Sequence, residues 1–292
     1  MITAILYLTC HIVLLNHPQR SAPIAIYDSG VGGLAITRTL KAFLPQERIH
    51  YIGDTKNLPY GQKTATALCG YIKQVVNFCL NKHYKLLVLA CHTAAAAAVS
   101  FVPSYLKSIG RKIDMINVID PVVTYITTAS TYHHIGLIGT PYTVTHGSYT
   151  ERLQAAGITL SALATPLLAP MVEAYFDHGK IDNILLHNYL DQLPCQNIDA
   201  LVSACTHYIF LEKAFKSFFK DHYQRDIAII DAAQLTALAV KAFLNAHNLL
   251  NHTAQKLPDC FMATALTPAF KNASKQLFGA IPIEIDLEPY AT

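Results

Sequence analysis

Short apolar runs alternate with amphipathic segments along most of the chain. The apolar runs, each about as long as one buried strand, occupy residues 23–28, 48–54, 85–90, 113–119, 134–140, 157–163, 200–205 and 227–231. Helix-compatible segments lie between them, such as 65–83, where apolar residues recur at helical spacing. A chain that alternates strands with helices builds parallel sheets through right-handed crossovers. The pattern therefore predicts an α/β fold with mainly parallel central sheets.

The polar residues that follow these runs indicate where a functional site lies. In parallel α/β sheets, ligands bind beside the carboxyl ends of the strands. Asp28 and Ser29 lie at the end of the first run, Cys91 and His92 follow the third, and Cys205 ends the seventh. We therefore expect these side chains at the carboxyl edges of the predicted sheets.

Length, composition and charge narrow the class of protein. The chain has 292 residues, enough for two compact α/β units, because domains commonly hold about 100 to 200 residues. Hydrophobic residues make up 52% and charged residues 14%, which excludes a disordered chain and favours sheets buried on both faces. The formal net charge is only +3, and no Lys/Arg run with interleaved aromatic residues occurs. Neither a nucleic acid nor a membrane surface is therefore expected as a partner.

The seven cysteines are an odd number and include no CxxC pair, so neither a disulfide framework nor a zinc site is predicted. Reduced thiols in a cytoplasmic protein are the simpler interpretation. Most of the cysteines are expected to be inert small hydrophobic side chains, because nothing in their sequence neighbourhood would activate them. These are Cys10, Cys69, Cys79, Cys195 and Cys260.

The segment 1–22 differs from the rest of the chain. Its apolar stretch has roughly the length of a signal-peptide core, but no Lys or Arg precedes that stretch and His11 interrupts it. The stretch is also shorter than the roughly 20 apolar residues of a membrane-spanning helix. We interpret residues 1–22 as an appended segment or a start-site artefact.

The sequence DSGVGGL follows the first apolar run and contains glycines at 30, 32 and 33. Glycines let a backbone turn tightly and approach a ligand. The segment lacks the GK[ST] of a phosphate-binding loop, and its spacing does not fit the GxGxxG of dinucleotide sites. Helix N-termini also bind carboxylates. An anionic small molecule without a phosphate is therefore the better prediction.

Two segments of the chain repeat one pattern. LLVLACHTA at 86–94 and ALVSACTHY at 200–208 both read as an apolar strand that ends in Ala-Cys and continues with Thr and His. If the two halves of the chain face each other, Cys91 and Cys205 project into one cleft from opposite sides. Each lies where a strand passes into a helix, and a helix N-terminus lowers the pKa of a thiol from its usual value of about 8.5.

Two opposed thiols suit the inversion of a stereocentre. One group takes a proton from one face of a carbon while a second group returns a proton to the other face. No lysine lies in a recognisable pyridoxal phosphate context, so hydrogen bonds and a dry site would stabilise the carbanion. Asp28, Glu173 and His207 are candidates for orienting the thiols or shifting their pKa values. Alternatively, His207 caps a helix and has no part in the chemistry.

The segments AIYDSGVGGL, YIGDTKNLPYG, LVLACHTA, IGLIGTPYTV and ACTHY, in this order and spacing, resemble the glutamate racemases. These cofactor-independent enzymes belong to the aspartate/glutamate racemase superfamily, and the resemblance covers residues 24 to 240. It implies two similar α/β domains related by a pseudo-twofold axis, with the active site in the cleft between them. The domains would be 23–118 plus 228–292 and 119–227, with 1–22 outside the match.

The resemblance also implies a function. It implies interconversion of L- and D-glutamate without metal or pyridoxal phosphate, and the supply of D-glutamate for peptidoglycan and hence for cell shape. It further implies a cytoplasmic location and a homodimer.

The same resemblance assigns roles to individual residues. Cys91 and Cys205 match the two acid/base thiols, Asp28 the carboxylate beside the first, and His207 the histidine that assists the second. Glu173 matches the glutamate after the proline-containing loop of the family. The implied substrate-binding residues are Asp28, Ser29, Tyr60, Gly61, His92, Thr93, Thr140, Thr206 and His207. Hydroxyl and backbone donors at these positions suit the two carboxylates of glutamate.

Three positions depart from the pattern of the family. His92 replaces the usual Asn, Ala95 replaces a frequent Ser, and Thr165 replaces a Cys. His92 matters most, because an imidazole is bulkier than an amide and can titrate near neutrality. Alternatively, His92 turns away as a first-turn residue of its helix.

Two other functions stay open at this point. A racemase of aspartate, or of both acidic amino acids, is compatible with a pocket that His92 has reshaped. A catalytically silent paralogue that binds an acidic amino acid is the alternative of another class, and the two cysteines argue against it.

Overall fold

The computed structural model describes residues 20–252, 258–279 and 284–285, so Cys10 and most of the segment 1–22 lie outside the described residues. The described strands form two parallel sheets. They are β1 Ile24–Asp28, β2 Ile49–Gly53, β3 Leu86–Leu89, β4 Met115–Asn117, β5 His134–Gly139, β6 Thr159–Ala164, β7 Ala200–Ala204, β8 Ala228–Ile230, β9 Cys260–Ala263 and β10 Glu284–Ile285. The predicted α/β fold with parallel sheets is confirmed.

Helices connect and cover the strands. They are α1 Gly32–Phe43, α2 Ala65–Asn81, α3 His92–Ser108, α4 Ile119–Thr128, α5 Pro141–Thr145, α6 Thr150–Ala155, α7 Leu168–His178, α8 Asn183–Leu190, α9 Glu212–Tyr223, α10 Ala232–Ala246 and α11 Pro268–Phe278. Short 3-10 turns occupy Thr55–Asn57, Tyr60–Gln62 and Thr206–Leu211. No helix in the part of the chain that the structure describes is both long enough and apolar enough to cross a membrane.

The first sheet has six strands in the order β10-β9-β2-β1-β3-β4. All five residues of β1 are buried, as expected for a central parallel strand that is covered on both faces. Asp28 lies opposite Gly53, and Tyr27 lies opposite Leu89. The carboxyl ends of β1, β2 and β3 are therefore level, and Ser29 and Cys91 follow at this edge.

The second sheet has four strands in the order β6-β5-β7-β8. Gly139 at the end of β5 lies opposite Ala164 of β6 and Ala204 of β7. The residues that come next in the chain, Thr140, Thr165 and Cys205, consequently lie along one edge of this sheet. The second copy of the Ala-Cys pattern thus occupies the position in the second sheet that the first copy occupies in the first.

The C-terminal part of the fold differs from expectation in two respects. β8 pairs with β7, so residues 228–230 lie in the second sheet, whereas the expected domains place residues 228–292 with the first. β9 and β10 extend the first sheet beside β2, although the sequence pattern did not predict them. Both strands are short, and a strand of two to four residues carries too few positions for an alternation signal.

Helices from the end of the chain join the two sheets. α11 begins with Thr267 as its N-cap, whose hydroxyl accepts a hydrogen bond from the N–H of Phe270. The helix packs against α7, and Asn272 of α11 donates a hydrogen bond to the carbonyl of Phe176 at 2.9 Å. Because α7 lies between β6 and β7 of the second sheet, this contact holds the two halves of the molecule together.

Two glycines allow the halves to meet backbone to backbone. A Cβ on Gly32, at the start of α1, would lie 2.3 Å from Thr206 Oγ1 and 2.6 Å from the backbone nitrogen of His207. A Cβ on Gly61 would lie 2.6 Å from the Cβ of Thr140. Distances this short leave no room for a methyl group. The glycine-rich segment is thus required for close approach of the second half as well as for a tight turn.

Candidate active site

A cleft lies between the carboxyl edges of the two sheets. Most of the residues that the sequence predicts for the site line this cleft. They are Ser29, Tyr60, Gly61, Cys91, His92, Thr93, Thr140, Cys205, Thr206 and His207. Asp28 and Glu173 are not among the lining residues, but each contacts one of them. Asp28 accepts a hydrogen bond from Thr206, and Glu173 contacts His207.

Cys91 is the N-cap of α3 and is 5% exposed. Its thiol donates to the hydroxyl of Ser29 at 3.6 Å, a distance suited to sulfur. Burial raises the pKa of the Cys91 thiol to about 12, and the negative charge of Asp28 contributes in the same direction. The sequence-based expectation that the helix N-terminus lowers this pKa is therefore wrong, because burial outweighs the N–H of Ala94. Cys91 is a protonated thiol at neutral pH.

Cys205 has a different neighbourhood. It follows β7 and precedes the 3-10 turn Thr206–Leu211, and its sulfur lies 3.7 Å from Nδ1 of His207. The opposite ring nitrogen of His207, Nε2, is 2.7 Å from Oε1 of Glu173. Burial lowers the pKa of His207, but its contacts with Cys205 and Glu173 outweigh burial, so this pKa lies well above its usual value. Cys205 therefore has a positively charged neighbour, whereas Cys91 has the negative Asp28.

The two sulfurs act on each other electrostatically. The charge of Cys205 contributes to the raised pKa of Cys91, which is the behaviour of two groups that share one cleft. One sulfur comes from the first sheet and the other from the second. The arrangement can therefore present a proton donor and a proton acceptor to opposite sides of a small molecule.

Asp28 is fully buried at the end of β1. Its Oδ2 accepts hydrogen bonds from the backbone N–H groups of Gly30 at 3.0 Å and Gly33 at 3.1 Å, and its Oδ1 accepts from the hydroxyl of Thr206 at 3.0 Å. Burial raises the pKa of Asp28, and the charge of His207 opposes this increase. Asp28 thus fixes the turn at 29–33 and joins it to the segment that carries Cys205. Its direct contact with substrate stays a prediction.

Glu173 also connects the halves. Its Oε1 accepts from the backbone N–H of Val31 at 3.2 Å, in addition to its contact with His207. Because Glu173 lies on α7 and Val31 precedes α1, the orientation of the histidine depends on both halves of the molecule.

Hydroxyl groups cover one wall of the cleft. Thr93 and Thr140 hydroxyls lie 2.8 Å apart, and both contact the hydroxyl of Thr143 at 3.4 and 3.0 Å. Thr143 was not predicted, although its spacing from Thr140 in GTPYT suggests the N-cap contact that its backbone N–H makes. Pro166 and Pro170 also line the cleft without having been predicted, because prolines carry no chemical signature for sequence reasoning to find.

His92 lines the cleft and is 2% exposed. Its ring stacks on that of Tyr149, with centroids 6.2 Å apart and planes inclined by 21°. Burial lowers the pKa of His92 to about 3, so the imidazole is neutral and the expectation that it titrates near neutrality is wrong. Neither ring nitrogen has a hydrogen-bond partner among the described residues. His92 thus contributes to the cleft lining while its ring packs on a buried tyrosine.

The remaining described cysteines lack comparable surroundings. Cys79 is fully buried, and burial raises its thiol pKa. Burial likewise raises the pKa of Cys195 to about 11, and this thiol donates to the carbonyl of Leu190 at 3.2 Å. Within residues 20–252 and 258–279, no group of three His, Cys, Asp or Glu side chains could hold a metal ion.

Comparisons with known proteins place the chain among amino-acid racemases. No family model matches the chain. A glutamate racemase from Syntrophus aciditrophicus is 34% identical over 239 residues, which cover 81% of this chain and 84% of that protein.

Solved structures give the same result. A glutamate racemase from Thermus thermophilus, in complex with beta-chloro-D-alanine, is similar with a TM-score of 0.78 at 30% identity, over 93% of this chain and 99% of that one. A glutamate racemase from Francisella tularensis, in complex with D-glutamate, has a TM-score of 0.79 at 26% identity, over 91% and 97% of the two chains.

Proposed function

This chain belongs to the glutamate racemase family, and we propose that it interconverts L- and D-glutamate by a two-cysteine mechanism without a cofactor. One observation carries the proposal. Cys91 and Cys205 reach one cleft from different sheets, and only Cys205 has an imidazolium beside it. A resting enzyme with one thiolate and one thiol is what a single inversion requires.

In the proposed reaction, the Cys205 thiolate takes the Cα proton of glutamate from one face. The electron pair of the broken C–H bond passes into the α-carboxylate, and the Cys91 thiol then gives its proton to the opposite face. The product has the inverted configuration, and the protonation states of the two sulfurs are exchanged. The same sequence in reverse converts the other enantiomer.

Charge stabilisation comes from the walls of the cleft. The hydroxyls of Ser29, Thr93 and Thr140 are donors for the substrate carboxylates, together with the backbone of Tyr60, Gly61 and Thr206. Donors that are already fixed by the fold cost little reorganisation when the carbanion forms. Glu173 orients His207 beside Cys205, while Asp28 fixes the turn that carries Ser29.

Several wider statements belong to the same proposal. The two sheets form the cores of two similar domains, 23–118 with the described residues that follow β8, and 119–230. The enzyme acts in the cytoplasm as a homodimer and supplies D-glutamate for peptidoglycan. The sequence resemblance supports these statements, and the first of them also agrees with the strand pairing.

A broader acidic amino-acid racemase is the second candidate, and His92 is the observation that favours it. A neutral imidazole, whose ring nitrogens have no hydrogen-bond partner among the described residues, occupies the position where the family pattern has an amide. A different side chain at this position is a reason to test substrates other than glutamate.

The decisive experiment measures racemisation of purified protein in heavy water with no added cofactor. We expect inversion of L- and D-glutamate, with solvent deuterium at Cα of the product. Equal rates with aspartate would replace the strict assignment with the broader one. Thermal stabilisation by glutamate without any deuterium incorporation would indicate a silent binding protein and overturn the proposal.

A further inference from the structure

The segment 58–62, which we call the substrate loop, forms one wall of the cleft. The hydroxyl of Tyr60 in this loop donates to Oδ2 of Asp54 and pairs with the hydroxyl of Tyr27. Burial raises the pKa of Tyr60 well above its usual value, so the phenol keeps its proton for donation. Because these buried partners occupy the hydroxyl, Tyr60 contributes only its backbone and ring to the cleft.

Asp54 receives hydrogen bonds from several directions. It is fully buried, directly after β2, and the amide nitrogen of Asn57 donates to its two oxygens at 3.0 and 2.9 Å. The hydroxyl of Thr264 donates to its Oδ1 at 2.9 Å. The backbone N–H of Asp54 donates to the carbonyl of Asp28 at 2.9 Å. The backbone and carboxylate of Asp54 thus join the substrate loop to the first sheet and to a residue 210 positions further along the chain.

The distant residue belongs to a second set of contacts on the same turn. Thr264 follows β9, and its hydroxyl accepts from the backbone N–H of Lys56 at 2.9 Å. Next to it, the hydroxyl of Thr55 donates to the carbonyl of Ala265 and accepts from the N–H of that residue at 2.9 Å. The turn before the substrate loop is therefore held by the chain segment after β9.

We propose that Asp54, held by Thr264 of the C-terminal segment, is a positioning residue that sets the conformation of the substrate loop through the hydroxyl of Tyr60. The inference rests on the proposed function, because the loop is assigned to substrate there. Asp54 itself does not line the cleft and touches no reacting atom. Its effect is on substrate affinity, since it fixes backbone groups that face the substrate.

The test compares isosteric variants in two assays, racemisation kinetics and calorimetric binding of D-glutamate. Asp54→Asn replaces a double acceptor with a group that has only one accepting oxygen, and Thr264→Val removes the hydroxyl at nearly constant volume. We expect each variant to raise KM and Kd roughly tenfold, with kcat changed less than about twofold, since the loss of one hydrogen bond to a charged group has this order of magnitude. Tyr60→Phe should give a similar increase. The double variant Asp54→Asn/Tyr60→Phe should then be no worse than the more affected single variant, because both remove one interaction.

Thr267→Val is the matched control. It removes the N-cap of α11 in the same C-terminal segment without touching the substrate loop. We expect a similar loss of thermal stability with KM unchanged. Asp54 and Thr264 variants that behave like this control would overturn the inference, because their role would then be stability alone. A wild-type protein that neither racemises nor binds glutamate would overturn the proposed function, and the inference with it.

Discussion

The two cysteine neighbourhoods occupy equivalent places in the two sheets but have opposite electrostatics. Cys91 begins a 17-residue helix, contacts a serine hydroxyl, and has the negative Asp28 nearby. Cys205 precedes a 3-10 turn and contacts His207, whose positive charge Glu173 supports. Similar strands and similar Ala-Cys sequences therefore lead to a negatively charged neighbour on one side and a positively charged neighbour on the other.

This difference shows that the position and the charged surroundings of each sulfur are determined separately. The parallel strands bring both sulfurs to the carboxyl edges, whereas side chains outside the strands give each sulfur its own charged neighbour. Thr206 and Glu173 each bond to residues of the opposite half, so the charge difference depends on both halves at once.

Removing either sulfur should have the largest effect on activity and tests the comparison most directly. Cys91→Ser and Cys205→Ser should each lower racemisation by roughly three orders of magnitude, because one face loses its proton-transfer group. In each variant, exchange of the Cα proton in heavy water should persist for only one enantiomer of glutamate. The two variants should retain exchange for opposite enantiomers. Either variant retaining wild-type racemisation in both directions would show that the two-thiol mechanism is wrong.

His207→Asn tests the charge on the Cys205 side and should have the next largest effect. In a Cys91→Ser background, we expect deuterium exchange to fall about 10- to 100-fold, because the thiolate loses its imidazolium. In a Cys205→Ser background the same substitution should change exchange by less than about threefold. Equal losses in both backgrounds would mean that the histidine serves the whole cleft.

Gly61→Ala tests the contact that keeps the halves together. The added Cβ would lie 2.6 Å from the Cβ of Thr140, so we expect the substrate loop to shift and KM for glutamate to rise about tenfold. The matched control is Gly70→Ala, at an exposed helical position where a Cβ meets nothing within 4 Å. The control should keep KM and gain about 0.5–1 kcal/mol of stability. The same KM in both variants would rule out a tight contact at Gly61.

The smallest expected effect concerns the two histidines and appears in the pH dependence of the free energy of unfolding. His92 has a pKa of about 3 when folded, so the unfolded chain takes up an extra proton as pH falls from about 6.5 towards 3, and stability is lost in that window. His207, whose pKa is raised, contributes stability that is present below pH 6.5 and is lost only as pH rises through its higher folded value.

Denaturant unfolding at several pH values measures this contrast. His92→Asn should reduce the acid-side slope of the unfolding free energy by about 1.4 kcal/mol per pH unit, because one proton uptake is removed. It should also improve glutamate affinity if the ring narrows the pocket. An unchanged slope would show that His92 is charged in the folded protein.

Sequence reasoning reached the strands and the groups at their ends because both are local properties. β1, β3 and β7 are apolar runs with Asp28, Cys91 and Cys205 at or just beyond their carboxyl ends, so the topology alone brings these residues to the carboxyl edges. The burial of His92 and its resulting pKa were out of reach, because they depend on Tyr149 and on neighbours far away in sequence. The hydrogen bond between Asp54 and Thr264 could not be predicted from the sequence either, because it joins residues 210 positions apart through ordinary polar side chains.

The glycine contacts at Gly32 and Gly61 have a consequence for how such a protein can diverge. Since main chain contacts main chain or a Cβ there, rotamer changes at these contacts do not alter the spacing of the two halves. Residues along the wall, such as the histidine at 92, can then be exchanged to select a longer or shorter amino acid while the stereochemical outcome stays the same. The residues that select the substrate can therefore change independently of the residues that invert it.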